Sequence, residues 1–518
     1  MRKATLRVDP GFVVGPVRPR TFGSFVEHLG RCVYTGIHDP EHESADADGF
    51  REDVIELTRE LGVSTVRYPG GNFVSNYRWE DGVGPVADRP RRLDLAWHAT
   101  EPNWVGIDEF MRWAQKAGVE PMMAINLGTR GVQDAINLLE YCNHPGGSKY
   151  SDMRRTNGRE EPYGIKMWCL GNEMDGPWQT GHKTAYEYGR LAAEAARAMR
   201  QVDPSIELVA CGSSGRGMPT FGAWENTVLT EAYDLVDYIS AHAYYWPVDG
   251  DMASFLASSV EMDRFIEDVV ATADAVRAAN NHTKRIAVSF DEWNVWYMGT
   301  GGGDVDSDVL PGKQQVTDPW PIAPRQLEDV YSVADAVVVG SLLISLLRNT
   351  DRVHAASQAQ LVNVIAPMMT EPGGAVWKQT IFHPFALTAA NAAGNALRTV
   401  LEAPSSKTKK YGDVPLVDAT VTHDPATGDV VLFAVNRDLD APIELNAQLA
   451  GFASGAGGVR PLQLVEAITY SNDDINWKAT EADSTSVLPT ANKTAELDGM
   501  TLTIALPPVS WTMVRLAR

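Results

Sequence analysis

From Thr21 to about Leu387 the chain repeats one pattern eight times: a short, almost wholly apolar run, then a helix-patterned stretch. The runs fall near 21–27, 64–69, 120–127, 165–172, 207–212, 238–244, 285–291 and 353–359. Runs apolar throughout suit parallel strands covered on both faces. Between them Phe50, Val54, Leu57 and Leu61 recur at helical spacing, as do Ile107, Phe110, Met111 and Ala114. Thr184 and Glu187 form a capping box ahead of Tyr188, Leu191, Ala195 and Met199. Long helices are expected over 254–279 and 327–348, the second apolar nearly all round, as for a helix squeezed between two units. Eight strand–helix units predict an α/β chain with a closed (β/α)8 TIM barrel over 21–387. No Gly-x-Gly-x-x-Gly opens a helix after a strand, which disfavours a doubly wound sheet. A chain of 518 residues exceeds one ordinary domain. Beyond 387, short alternating stretches near 414–421, 430–435, 443–449, 462–467 and 500–506 predict an all-β sandwich over 388–518. Ala4, Leu6 and Val8 also alternate, the pattern of an edge strand with a distant partner.

In such a barrel the strands' carboxyl ends carry the chemistry. The run Ile165–Leu170 stops at Gly171-Asn172-Glu173, and the run Ile286–Phe290 stops at Asp291-Glu292-Trp293-Asn294. Two strand-end glutamates suggest a paired-carboxylate glycosidase, whose stereochemical outcome follows from the distance between them. The acid of such a pair must keep a proton near neutrality, with Trp168, Met174 and Trp178 as apolar neighbours. The nucleophile must be ionised, so donors should surround it. Glu27 is a third carboxylate at the rim, and Arg67 either pairs with it or orients Glu292. Gly70 and Gly71 let backbone come close to a ligand. His242 is a donor to a carboxylate or a plain rim residue, and Trp178, Trp246, Trp293 and Trp296 are candidate stacking platforms for sugar faces.

The strings Trp168–Trp178 and Phe290–Trp296, with 23–30, 67–73, 242–245 and 360–367, resemble the α-L-arabinofuranosidases of glycoside hydrolase family 51. The matches run in order through most of the chain. The resemblance implies a jelly-roll-like sandwich that takes in the N-terminal strand, so that 1–20 joins 388–518. It implies Glu173 as acid/base and Glu292 as nucleophile of a retaining, double-displacement reaction. It implies that Asn172, Asn72, Gln360 and Glu27 grip sugar hydroxyls and that Tyr244 contacts the nucleophile. The substrate would be an arabinose-containing oligosaccharide from arabinan or arabinoxylan, cut at its non-reducing end. A homo-oligomer, often a hexamer, is also implied. The rival readings are a β-xylosidase or endoglucanase of the same clan, and a non-hydrolytic carbohydrate-binding protein.

Other classes are disfavoured by composition. Lys plus Arg number 45 against 67 Asp plus Glu, a net charge of −22, which argues against nucleic acid or an anionic membrane as partner. The longest apolar stretch, Ala336–Leu347, is shorter than the roughly 20 residues that span a bilayer. No long apolar segment follows the first basic residues, so the expected location is cytoplasmic. Cys32, Cys142, Cys169 and Cys211 form no Cys-x-x-Cys pair and are expected as reduced core thiols. No phosphate loop, serine elbow or recognisable metal-ligand spacing occurs, so neither cofactor nor metal is expected. Asp304, Asp306 and Asp308 resemble a calcium loop, but Gln315 stands where its glutamate belongs. The segment 299–326, rich in Gly, Pro and Asp, is either a lid over the site or a subunit contact.

Overall fold

The computed structural model describes residues 1–298, 320–452 and 461–518. Eight strands close into a parallel barrel, each paired with its sequence neighbours and the last with the first. They are β1 (Gly23–Phe25), β2 (Thr65–Tyr68), β3 (Glu120–Ala124), β4 (Met167–Leu170), β5 (Glu207–Ala210), β6 (Tyr238–Tyr245), β7 (Ala287–Val295) and β8 (Val353–Gln358). Each lies on one of the eight apolar runs read from the sequence.

Strand alternation sorts the side chains. Met122, Ala124, Met167, Cys169, Val209, Ala287 and Ala355 fill the barrel interior, while Trp168, Leu170, Leu208, Ile239 and Val288 face the helices. At the strands' amino ends Arg20 binds Glu120 and Glu207 at 2.8 Å, and Tyr238 donates to Glu207 at 2.6 Å. That end is closed by charge pairing, and the carboxyl end carries the open cavity.

The helices end where the sequence supplies a stop. Glu52–Leu61 and Ile107–Ala117 close on Gly62 (φ 80°) and Gly118 (φ 78°), whose left-handed backbone costs glycine little. Thr184 caps Ala185–Val202, and Glu187 returns a bond to the Thr184 amide at 3.0 Å. The helix expected over 254–279 is two, Met252–Leu256 and Ser259–Asn280, because Ser258 turns its hydroxyl onto the Phe255 carbonyl at 2.6 Å. Val333–Arg348 is buried from Val333 to Leu347, packed between the barrel and the second unit. Its Gly340 faces Trp511, whose ring would lie 2.2 Å from a Cβ there.

The second unit is one continuous ten-stranded sheet folded over a shared core that includes Ala4, Leu6, Leu432, Leu445, Ile504 and Leu516. Arg2–Pro16 is not an edge strand. It pairs antiparallel with Asn395–Glu402 and parallel with Ile443–Gln448, so it sits inside the sheet. Its register shifts between Val8 and Val13, a bulge that bends it. The junction expected at 387/388 runs through the helix Phe382–Asn391, and the sheet begins at Asn395. All four cysteines are buried and free. No helix among the described residues is long and apolar enough to cross a membrane.

Residues 299–319 of the segment read as lid or subunit contact, with the three aspartates and Gln315, lie outside the described residues. Its end, 320–326, runs along the hairpin Arg92–Asp94/Ala99–Glu101: Thr100 donates to the carbonyls of Trp320 and Pro321 at 2.9 Å, and Gln326 to that of Trp97 at 3.0 Å.

Candidate active site

At the open end, β4 and β7 deliver their glutamates to one point. Gly171 (φ 95°) and Glu173 (φ 44°) turn the chain sharply as it leaves β4. β7 reaches its glutamate differently. Phe290 packs outward on Phe265, so strict alternation would point Asp291 inward and Glu292 outward. The pairing with both β6 and β8 slips by one residue between 289 and 293, a bulge that turns Asp291 and Glu292 into the barrel together. Trp293 returns to the outer face against Phe385 and is fully buried, so it is no stacking platform. Trp168 also points outward, next to the inward Cys169, and does not wall Glu173.

Glu173 and Glu292 are buried. An oxygen of each and a ring nitrogen of His242 lie within 4.8 Å of one another. Glu173 receives hydrogen bonds at 2.9 Å from Trp178 Nε1 and His242 Nδ1. The other His242 nitrogen meets Asp291 at 3.0 Å. Glu292 accepts from Tyr244 Oη at 2.7 Å and from Arg67 Nη1 at 2.8 Å, with His242 at 3.5 Å. Burial, with the neighbouring Glu173, holds the Glu292 carboxyl above the ordinary glutamate value, against the pull of His242, Arg67 and Tyr244. For His242 burial favours the neutral ring, but Glu292, Asp291 and Glu173 outweigh it and hold the imidazolium well above the ordinary histidine range.

Glu173, His242 and Glu292 are also the described residues placed closely enough to hold a cation. The His242 ring lies between the two carboxyl groups, 2.9 Å from Glu173 and 3.5 Å from Glu292.

Arg67 does not pair with Glu27. Besides Glu292 it reaches Asn172 Oδ1 at 2.6 Å and Asp291 at 3.8 Å, and it is 1% exposed. Asn172 in turn donates to Asn72 at 3.2 Å, so the guanidinium fixes both amides. Glu27 has separate donors: the Phe73 amide at 2.9 Å, Trp97 Nε1 at 2.8 Å and Gln360 Nε2 at 3.1 Å. Burial pushes its carboxyl up to about 7, against the pull of the Phe73 and Trp97 donors. Gln360 Oε1 is buried and has no partner among the described residues, an acceptor for a hydroxyl.

The two glycines after β2 serve a closer purpose than ligand approach. A Cβ on Gly70 would lie 2.3 Å from Glu27 Cγ, and one on Gly71 3.0 Å from Glu27 Oε2 and 3.3 Å from Glu292 Oε1. They let the backbone lie against both carboxylates. Together these groups line a cavity of about 720 Å³, walled by Trp178, Trp246, Trp296, Phe25 and Met218. That size suits a small-molecule site.

Every site residue read from the sequence is therefore at this end of the barrel: Glu27, Arg67, Asn72, Asn172, Glu173, Trp178, His242, Tyr244, Glu292 and Gln360. Two contributors were not singled out. Asp291 precedes a glutamate on a strand, where alternation hides it until the bulge is known. Trp97 comes from the hairpin after β2, in a stretch with no period.

Residues 57–284 match the family described as the α-L-arabinofuranosidase 1 domain, and residues 291–510 the α-L-arabinofuranosidase C-terminal domain. The chain is 55% identical to an intracellular exo-α-(1→5)-L-arabinofuranosidase of Streptomyces lividans, covering 100% of this chain and 76% of that protein. It is 54% identical to an exo-α-(1→6)-L-arabinofuranosidase of Bifidobacterium longum, covering 99% and 97%. The structure of a family 51 α-L-arabinofuranosidase from Bifidobacterium longum superposes with a TM-score of 0.92 at 49% identity, covering 99% of both chains.

Proposed function

The chain belongs to the α-L-arabinofuranosidases of glycoside hydrolase family 51, and from that premise we propose that it removes terminal arabinofuranosyl groups from short oligosaccharides, inside the cell, with retention at the anomeric carbon. It is an exo-acting arabinofuranosidase. The observation that carries the retaining reading is the spacing of Glu173 and Glu292. Oxygens within 4.8 Å of each other fit the gap of about 5–5.5 Å in retaining enzymes and not the wider one that admits a water.

In the first step a Glu292 oxygen bonds to the anomeric carbon as the bond to the leaving oxygen breaks, and the Glu173 proton passes to that oxygen. In the second, Glu173 takes a proton from water, the water oxygen bonds to the anomeric carbon, and Glu292 leaves as carboxylate. Arg67 and Tyr244 hold Glu292 at opposite oxygens, which fixes the attacking geometry. His242 holds Glu173 from one side and Trp178 from the other. Asn72, Asn172, Glu27 and Gln360 offer a ring of hydroxyl partners around the sugar.

The test is the configuration of the first product. During cleavage of an aryl α-L-arabinofuranoside, proton NMR is expected to show the α-anomer before mutarotation, and β-anomer first would overturn retention. Two relatives' names differ in linkage, (1→5) and (1→6), so terminal release from both disaccharides should be compared. The resemblance also supports a homo-oligomer, for which light scattering of the pure chain should give the mass of a hexamer.

A further inference from the structure

A second cavity of about 350 Å³ shares one wall with the catalytic cavity. The shared wall is Tyr244, Trp246, Val248 and Asp249, the end of β6 and the loop after it. The far wall comes from the other structural unit. It is the turn of the hairpin Ser405–Thr408/Gly412–Pro415, which carries Lys409, Lys410 and Tyr411. The hairpin is fastened in place. Tyr411 and Val414 pack on Ala257 and Val260, and the Lys410 amide donates to Ser254 Oγ at 3.1 Å.

We propose that this pocket is a distal leaving-group subsite, which binds a sugar residue of the oligosaccharide beyond the bond that is cut. The inference rests on the hydrolase reading above and extends it across the Trp246–Asp249 loop. Three observations carry it. Tyr245 lines the pocket, and its hydroxyl is buried with no hydrogen-bond partner among the described residues. Lys409 is exposed and makes no ion pair among the described residues, in a chain with net charge −22. The lining mixes cations (Lys409, Lys410) with carboxylates (Asp249, Asp251) and a phenol, a set that offers both donors and acceptors to the paired hydroxyls of a neutral sugar. A purely anionic ligand would be opposed by the two aspartates. Val248, 51% exposed at the crest of the shared loop, gives the chain an apolar surface to cross.

The experiment uses the whole chain and arabinofuranosyl oligosaccharides from dimer to pentamer, with an aryl arabinofuranoside as the length-one control. Wild-type kcat/KM is expected to rise with length until the chain spans the loop. Tyr245→Phe, and separately the double change Lys409→Ala with Lys410→Ala, should flatten the rise, lowering kcat/KM on the pentamer by about five- to tenfold through KM. Both should leave the aryl glycoside unaffected, which also reports an intact fold. A wild-type profile flat beyond the dimer, or variants that keep the wild-type rise, would overturn the subsite while leaving the hydrolase reading in place. A wild-type chain inactive on the aryl glycoside overturns the parent reading, and this one with it.

Discussion

With alanine in place of Glu292, turnover of para-nitrophenyl α-L-arabinofuranoside is expected to fall by on the order of 10⁴-fold or more, because no other group can meet the anomeric carbon. Arg67 and Tyr244 would then flank an empty position, since each donates a hydrogen bond to that carboxylate. Glu173→Ala should behave differently. Nitrophenolate leaves without much help from a proton, so the first step survives and the arabinosyl-enzyme accumulates for want of a base to activate water. Azide needs no base. It should therefore restore turnover of Glu173→Ala and yield arabinosyl azide of retained configuration. In Glu292→Ala the azide would take the nucleophile's place and give the inverted product. The two carboxylates are thus distinguished by the stereochemistry of rescue as well as by rate. Both variants within tenfold of wild type would remove the assignment.

Much of this site was legible because barrel geometry converts sequence position into location. An apolar run that stops at Asn-Glu places those side chains at the carboxyl end, and five other runs did the same for Glu27, Arg67, His242, Glu292, Gln360 and their neighbours. What stayed hidden had physical reasons. Strict alternation puts Glu292 beside Phe290 on the outer face, and only the bulge in β7 brings it in with Asp291. Alternation places Trp168 next to the inward Cys169 and so outside the site, whereas Trp293 is turned outward only by the same bulge. In the sheet, Ser510–Ala517 was passed over because its alternation, Ser510-Trp511-Thr512-Met513, breaks off at Val514-Arg515; the strand is buried along most of its length, between the sheet core and the helix Val333–Arg348. Asn395–Glu402 was passed over because Arg398, Thr399 and Glu402 break the apolar pattern, and three of its eight residues, Arg398, Val400 and Glu402, are exposed.

The second large effect concerns how the two units hold together. Asp418 lies in the sheet and binds Arg348 of the buried helix and Arg437, just past the end of the next strand Val430–Asn436, each at 2.6 Å, while Ser259 of a barrel helix donates to it at 3.1 Å. Arg437 also reaches Ser259 and Ser341, so one carboxylate joins both units. The side chains of Asp418 and Arg437 are 7% and 5% exposed, whereas Arg348 keeps 38% of its side chain in solvent. The cost of breaking the cluster therefore falls mainly on Arg437. Asp418→Ala strands that guanidinium in the interface, and a loss of about 3–5 kcal/mol in urea unfolding is expected. Replacing Asp418 by Leu and Arg437 by Met together should recover much of it, because neither charge is then left buried alone. Burial opposes ionisation of Asp418, but Arg348 and Arg437 outweigh it and hold the carboxyl below the usual aspartate range. Its contribution is therefore complete above the unfolded-state pKa of about 3.9 and is lost only as the pH falls through the lower, folded value. The gap between wild type and Asp418→Ala should stay constant from pH 7 to about pH 5 and close in stronger acid. A gap that has already closed at pH 5, or a double variant no more stable than the single one, would show that the cluster does not bind the two units through this charge.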